Sequence, residues 1–461
     1  MSSERSGKFD PSSRAGRAPL LVALIASLVL AIPSAYLILS GNNCGRAAFD
    51  ATAYHLRFIR DLAAQFPAFD LSNPLTATTP GYHIVLALLA RMGADSIEAL
   101  RFGSVAIGCA FVATVAIWCG RRAARGEALA LALPLAVSIY VVGAAAWTVP
   151  DNLAWLLVVG ILWLALMDSR RSARLAAACV LLALLVYVRQ IHIWAAAIIW
   201  IAAFTDARAE GRTLGASLAR AAMWACATLP AFLVLWLFMR KWGGLTPPRF
   251  QSDIQGINGA TPAFILLQIA ILSVGFLPWT WPALVRAWRE HRGVVVGGAL
   301  GGLLLAAIPA TNASFEAGRF SGWWSIVERA PVIAGRTSVV MILAAPIGAA
   351  VLGALLAGLR PRDRSILGVT ILAFTAALTA NFNCWQRYHE PLLLCVLPAC
   401  FLLQVGRVDL RGSLGFVPPA LLVLMLVLVS AGGFRGDPWP MDTLPAPQHI
   451  APDDPFRAPG E

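Results

Sequence analysis

The sequence predicts an all-α polytopic membrane protein with about 13 transmembrane helices, and three observations carry that prediction. Hydrophobic residues make up 59% of the 461 and charged residues only 13%, against roughly 25% charged in soluble domains. Apolar runs of membrane-spanning character recur along the chain, and mean hydropathy is +0.72. The basic residues, almost all arginines because Lys8 and Lys241 are the only lysines, fall in short loops that alternate threading puts on one side.

The first run, 19–40, follows a polar stretch over 1–18 that carries Arg5, Lys8, Arg14 and Arg17. It resembles a signal sequence but is too long and lacks a clear small-residue cleavage site, so it reads as a first span with its N-terminus inside. The remaining runs are 102–119, 127–147, 150–167, 174–188, 191–204, 219–239, 260–279, 294–310, 338–359, 366–381, 391–405 and 414–433. Threading these puts six basic clusters inside: Arg121-Arg122 with Arg125, Arg170-Arg171 with Arg174, Arg208 with Arg212, Arg286 with Arg289 and Arg292, Arg360 with Arg362 and Arg364, and Arg407 with Arg411. All six obey the positive-inside rule. A formal net charge of +12 therefore reflects helix orientation, and nucleic-acid binding, the usual alternative for a basic chain, is rejected.

One apolar stretch, 79–92, would invert this topology if it crossed. It is read as a helix in the outer interface, preceded by Pro74 and Pro80. The chain then divides into a cytoplasmic tail over 1–18, a membrane domain over 19–434 whose first outer loop runs 41–101, and an outer tail over 435–461. That tail is Pro-rich, lacks apolar periodicity and is expected to be disordered. The expected location is a bacterial inner membrane with the chemistry facing outside.

Of eight cysteines, Cys109, Cys119, Cys179, Cys226, Cys395 and Cys400 lie in or beside apolar runs and read as small core residues. Cys44 and Cys384 fall near outer loops, where a disulfide between them is open. No CxxC spacing exists, so no zinc site is indicated. No cofactor is called for; outer carboxylates leave a divalent metal open. Asn312-Ala313-Ser314 matches a glycosylation sequon in an outer loop, and the glycines of 297–302 suit close helix packing.

Ionisable groups at span ends carry a desolvation cost and so invite a functional reading. Five of six histidines, all but His291, fall outside. Asp50 begins a helical run, Asp50-Ala-Thr-Ala-Tyr54-His55 and on to Asp61, in whose first turn an anion is favoured. Tyr54 follows one turn later. Asp50 is either a helix cap or a general base facing a cavity. Asp151 opens a span after Val149-Pro150 and has the same two readings. Arg189-Gln190, with His192 close behind, ends a span. Its arginine is either a snorkelling side chain or an anion clamp, and so is that of Arg387-Tyr388-His389-Glu390. His83 alone reads as structural. No Ser-His-Asp spacing, GxSxG, P-loop or dinucleotide fingerprint occurs.

Taken in order, these residues resemble the GT-C superfamily of membrane glycosyltransferases, and within it the dolichyl-phosphate-glucose α-1,2-glucosyltransferases. The resemblance is carried by Asp50 with His55, by Thr78-Thr79-Pro80-Gly81-Tyr82, by Arg101-Phe102 at the second span, and by Thr148 ahead of Asp151. It continues through Arg189-Gln190-Ile191-His192, Trp242-Gly243-Gly244-Leu245 and Arg387-Tyr388 before Pro391. The chain departs from that family where Ala51 stands in place of a second acidic residue and where the eukaryotic long loops are missing.

The resemblance implies a polyprenyl-phosphate sugar donor and a glycan or lipid-linked acceptor at the bilayer's outer face. It implies Asp50 as catalytic base and inversion at the anomeric carbon, with Arg189 and Arg387 on the departing phosphate. It implies substrate contacts from Tyr54, His55, His83, Asp151, Gln190, His192 and His389. The alternative class is a transporter or flippase of a lipid-linked or anionic substrate. That class calls for inverted repeats and mid-bilayer charges, and the sequence shows neither.

Overall fold

The structure is a computed structural model that describes residues 18–42, 46–167, 171–251, 256–406 and 413–435. Most of the expected N-terminal tail, the outer tail beyond Arg435, Cys44, Arg170, Arg407 and Arg411 lie outside the described residues. Among the described residues, the strands are confined to one small antiparallel hairpin, Val332–Ile333 against Thr337–Ser338, and the rest of the regular structure is helical.

Each apolar run becomes one helix or one bent pair. The first span is α1 (Ala18–Leu39). The first outer loop holds α2 (Arg46–Asp50), α3 (Leu56–Gln65) and α4 (Gly81–Arg91). Then come α5 (Ile97–Gly120), α6 (Arg125–Val137), α7 (Ile139–Ala146), α8 (Asp151–Leu166), α9 (Arg171–Val188) and α10 (Ala196–Ala209). They are followed by α11 (Leu214–Ala227), α12 (Leu229–Trp242), α13 (Thr261–Gly275), α14 (Leu277–Glu290) and α15 (Arg292–Ala307). A short α16 (Trp324–Glu328) precedes α17 (Val339–Ala357), α18 (Pro361–Thr379), α19 (Glu390–Leu403) and α20 (Val417–Gly433).

Among the described residues, four helical stretches are long and apolar enough to cross a bilayer, or seven if each bent pair counts once. Of the rest of the thirteen, α8, α9, α15, α19 and α20 are shorter, and α18, at 19 residues, begins with the charged stretch Arg362-Asp363-Arg364. The bends are 58° at Ser138, 44° at Thr228 and 110° at Phe276. Pro230 and Pro278 follow the last two breaks, and a proline contributes no N–H to the helical ladder. The sharp bend corrects one expectation: residues 280–290, assigned to an inner loop by hydropathy, are helical in α14. With α4, at 11 residues, the expected non-crossing reading holds. It is about 16 Å long against a hydrocarbon core of about 30 Å.

The two ends of the bundle agree with the threading. On the arginine-rich end, Pro19 of α1 meets Gly120 of α5 and Phe416 ahead of α20 meets Gly126 of α6. Leu359 after α17 pairs with Gln404 after α19. On the other end, Asn42 Nδ2 donates to the Phe434 carbonyl (2.9 Å), joining the far ends of α1 and α20. Assigning the arginine-rich end to the cytoplasm rests on the positive-inside rule.

Close packing follows small residues. A Cβ on Gly302 would stand 2.5 Å from the Ala345 carbonyl oxygen, and one on Gly298 would stand 2.9 Å from that of Ala349. The expected role of 297–302 is thus confined to Gly298 and Gly302, where α15 meets α17.

The arginine-rich end carries a buried ion network that composition does not announce. Asp206 of α10, with no exposed side-chain surface, accepts from Arg174 of α9 and from Arg362 Nε of α18 (2.8 Å). The two guanidiniums also cap carbonyls at the end of α8, among them Leu164, Ala165 and Met167. Asp206→Ala would remove the buried carboxylate shared by Arg174 and Arg362, although Arg362 keeps its contact with Asp363 at 3.2 Å; removing one partner of a buried ion pair typically costs about 3–5 kcal/mol. The expected outcome is a clearly lowered thermal unfolding midpoint in detergent, and an unchanged midpoint would show the network to be dispensable.

Candidate active site

The opposite end collects charge from four separated segments. The run predicted to open at Asp50 is helical, but it begins at Arg46. Asp50 is the last residue of α2, continuous in αR geometry with a π-helical turn, Ala51–His55, that leads into α3. Asp50 therefore makes no cap, which corrects the first-turn expectation and removes the helix-cap reading. The wide turn after it is the kind of local irregularity found at functional sites.

Arg387 Nη1 donates to Asp50 Oδ2 at 3.0 Å. Nη2 of the same guanidinium donates to the Tyr388 hydroxyl at 3.1 Å, and its Nε–H is buried with no partner in the protein. Arg189, at the end of α9, is bonded to Asp151 at the start of α8. Both guanidiniums lie over the Tyr388 ring: Arg189 Cζ is 5.1 Å and Arg387 Cζ 5.0 Å from its centroid. Trp385 adds a second ring under Arg387 at 4.5 Å. Both bland readings of these arginines thus give way to paired cations held on aromatic faces. Neither carboxylate is fully buried, with Asp50 23% and Asp151 17% exposed.

Asp151 is placed by strained backbone. Thr148, buried between α7 and α8, has φ +42°, a region costly for a β-branched residue. The strain turns the chain so that Pro150-Asp151 opens α8 beside Arg189.

His55, at the end of the π-helical turn, completes the cluster. Its Nδ1 lies 2.7 Å from Nε2 of buried His83, and the two rings are stacked 5.1 Å apart. Burial pulls the His55 pKa down and outweighs the attraction of Asp50 and Asp151; Arg189 and Arg387 pull the same way, leaving it at about 4. Burial, with a smaller contribution from His55, holds His83 well below its ordinary value. Both rings are neutral at pH 7. His83, expected to be structural from sequence alone, touches the site through His55.

The motif 78–82 and Gln190 build the wall that sets these groups. Thr79 Oγ1 donates to the Val186 carbonyl (2.7 Å), and its N–H donates to Gln190 Oε1 (3.0 Å). Gln190 Nε2 donates to the Ala77 (2.8 Å) and Leu245 (3.0 Å) carbonyls. A Cβ on Gly81 would stand 2.7 Å from the Tyr187 carbonyl oxygen, so only glycine lets α4 lie against the end of α9. Gly243, at φ +74°, ends α12 in a left-handed cap, from which Leu245 reaches Gln190. The Gln190 amide is engaged by three backbone groups and so joins three segments at this end of the bundle.

His192 and His389 sit behind the charged cluster. His192 is buried edge-on to Trp155 at 4.8 Å, and His389 Nδ1 lies 3.1 Å from Gln268 Nε2. Tyr54 is placed edge-on between Phe49 and Phe250. Tyr388 was not singled out from sequence. The signal was its place beside Arg387, with nothing to say that Arg189 would reach the same ring. Glu390, buried and accepting from Ser138 Oγ (2.6 Å) and from Gln386, fixes the loop that presents Arg387. Cys384 is buried, and its possible partner Cys44 is outside the described residues. Among the described residues, no group of three His, Cys, Asp or Glu side chains is arranged to hold a metal ion.

No known family model matches this sequence, and no curated protein does. The fold class is that of a polytopic, all-helical membrane protein. Among solved structures, the chain is similar to ArnT from Cupriavidus metallidurans, crystallised with undecaprenyl phosphate, at 17% identity over 90% of this chain and 74% of that one, with a TM-score of 0.40. A similarity at that level says nothing of activity.

The histidine burial makes a pH prediction. Below its unfolded pKa of 6.5 the unfolded chain binds a proton at residue 55 that the folded chain, at about 4, does not. Stability on this account is greatest above pH 6.5 and falls as pH drops toward 4, by about 3 kcal/mol for this one residue. Thermal melts from pH 7.5 to 4.5 are expected to show the fall, and His55→Gln to flatten part of it.

Proposed function

We propose that this protein is an inverting glycosyltransferase that moves a sugar, glucose or another hexose, from a polyprenyl-phosphate donor to a glycan or lipid-linked acceptor at the outer face of the membrane. The observation that carries this reading is the Asp50–Arg387 pair, in which a partly exposed carboxylate holds a guanidinium that still has an unpaired Nε–H. A site with a general base and two clamped arginines at the membrane surface suits a reaction whose leaving group is a lipid phosphate.

On this reading the donor phosphate takes up the free Nε–H of Arg387 and competes with Asp50 for the rest of the fork, as a planar guanidinium favours phosphate oxygens. Asp50, released, accepts the proton of the acceptor hydroxyl. The acceptor oxygen bonds to the anomeric carbon from the face opposite the phosphate. The bond from anomeric carbon to phosphate oxygen breaks, and its electron pair leaves with the lipid phosphate, whose charge Arg387 and Arg189 stabilise. Asp151 holds Arg189 in place and is the next candidate for base. Tyr388 keeps the two guanidiniums at a fixed separation. The donor is already activated, so the scheme requires no metal.

Two expected outcomes test the reading in proteoliposomes with synthetic polyprenyl-phosphate sugars. Asp50→Asn, at matched folding, abolishes transfer of labelled sugar. Arg387→Gln and Arg189→Gln each lower it by about 100- to 1000-fold, the usual loss for one electrostatic group, and Arg387→Lys recovers only part because it lacks the fork. Transfer unaffected by Asp50→Asn would move the base to Asp151. Lipid flipping without transfer from any donor would replace the enzyme reading with a transporter.

A further inference from the structure

His55 and His83 share one proton between the nitrogens that face each other. With both rings neutral, one of Nδ1 of His55 and Nε2 of His83 is the donor and the other the acceptor. Three features select the arrangement.

The first is burial. Nδ1 of His83 has no partner and no exposure. If His83 accepted from His55, that nitrogen would carry an orphaned buried N–H, whereas donation through Nε2 leaves it only a lone pair. Orphaned buried N–H groups are the rarer of the two. The second is the helix: His83 is the third residue of α4, whose N-terminal amides present partial positive charge. That field favours a lone pair at Nδ1 over an N–H. The third is the far side of His55. Once Nδ1 is engaged with His83, Nε2 is the nitrogen left for the charged cluster of Asp50, Asp151, Arg189 and Arg387, all of which act on this ring. The two carboxylates favour a hydrogen on it.

We propose that His83 fixes His55 as the Nε2–H tautomer, so that His55 serves this site as a neutral hydrogen-bond donor to a phosphate oxygen of the substrate, and not as a proton acceptor. The proposal deepens the glycosyltransfer reading. It makes His83 a positioning residue and His55 the third N–H source beside the two guanidiniums. It also removes His55 as a rival to the two carboxylates for the proton of the acceptor. A neutral donor suits the place: a third cation there would have to be balanced when the site is empty, whereas a neutral ring adds an N–H without adding charge.

The test is direct and does not depend on turnover. Protein labelled with 15N-histidine is placed in bilayers, and the His55 signals are assigned by their loss in His55→Gln. The expected result is a bare Nδ1 and a protonated Nε2 for His55 between pH 5.5 and 8, with the Nε2–H signal shifting when polyprenyl monophosphate is added. A protonated Nδ1 on His55, or titration of the ring within that range, would overturn the assignment. An Nε2–H that ignores the lipid phosphate would overturn the role.

Kinetics separates the roles further. His55→Gln keeps an N–H donor near that position and is expected to retain kcat within about tenfold with an unshifted pH profile. His55→Ala loses a donor to a charged group and is expected to fall by about 10- to 150-fold in kcat/KM. Loss of the acid limb of the pH profile in His55→Gln would make His55 the base instead. A protein that shows the expected tautomer but transfers no sugar would retain this arrangement of protons and lose the glycosyltransfer reading.

Discussion

Charge removed from water at a membrane surface has to be matched nearby, and in this protein the matching also joins the helices. Arg387 lies in the loop before α19, Asp50 at the end of α2, Asp151 at the head of α8 and Arg189 at the tail of α9. None of the four is near another in sequence except through the fold. Separating either pair would leave largely desolvated ions without their counterions, at a cost larger than most single packing contacts. The Tyr388 ring makes the two pairs one unit, because each guanidinium rests on it. The position of α8, of α9, of the first outer loop and of α19 relative to one another follows from that unit.

Neutral bonds do the finer placement. Thr79, Gln190 and Leu245 tie three outer segments together through amide and hydroxyl groups, and Tyr82 and Ser104 continue the tie to the Ala144 carbonyl (2.9 and 3.0 Å). These bonds carry no net charge and so do not disturb the field at the site. At the other end of the bundle, Asp206 with Arg174 and Arg362 repeats the principle of a buried ion held from several helices. There the carboxylate is wholly enclosed, while at the outer end both carboxylates remain partly open. The difference leaves the Asp50 and Asp151 carboxylates accessible to a ligand and the Asp206 carboxylate closed to one.

Much of this was legible in the sequence. Hydropathy locates all thirteen apolar segments, because span length and arginine placement are imposed by the bilayer and need no tertiary knowledge. Asp50, Asp151, Arg189 and Arg387 stand out for the same reason, as charge at span ends. Partnership was not legible. Nothing in a linear pattern tells that Arg387 would find Asp50, 337 residues away, or that Gln190 would be consumed by three backbone groups. The start of α2 at Arg46 was missed because the cap reading assumed that an aspartate before an apolar run begins a helix; here the helix had already begun, and it continues through a π-helical turn into α3. The 110° bend at Phe276 was missed because hydropathy reports how apolar a segment is and not where it points.

The resting cluster is close to charge balance, with two guanidiniums, two carboxylates and neutral histidines. An anionic ligand that enters it cannot simply add to the set; it has to take hydrogen bonds that now belong to a carboxylate. On the proposed reading this couples binding to reactivity. While Arg387 holds Asp50, part of the carboxylate's acceptor capacity is occupied and unavailable to any hydroxyl, water included. When a lipid phosphate draws the guanidinium away, the carboxylate regains that capacity at the moment when an electrophilic anomeric carbon is beside it. Activation of the base by arrival of the leaving group would suppress idle proton transfer in the empty site. It would also explain why the site keeps its carboxylate paired yet only partly buried, since a fully enclosed pair such as that of Asp206 could not make the exchange.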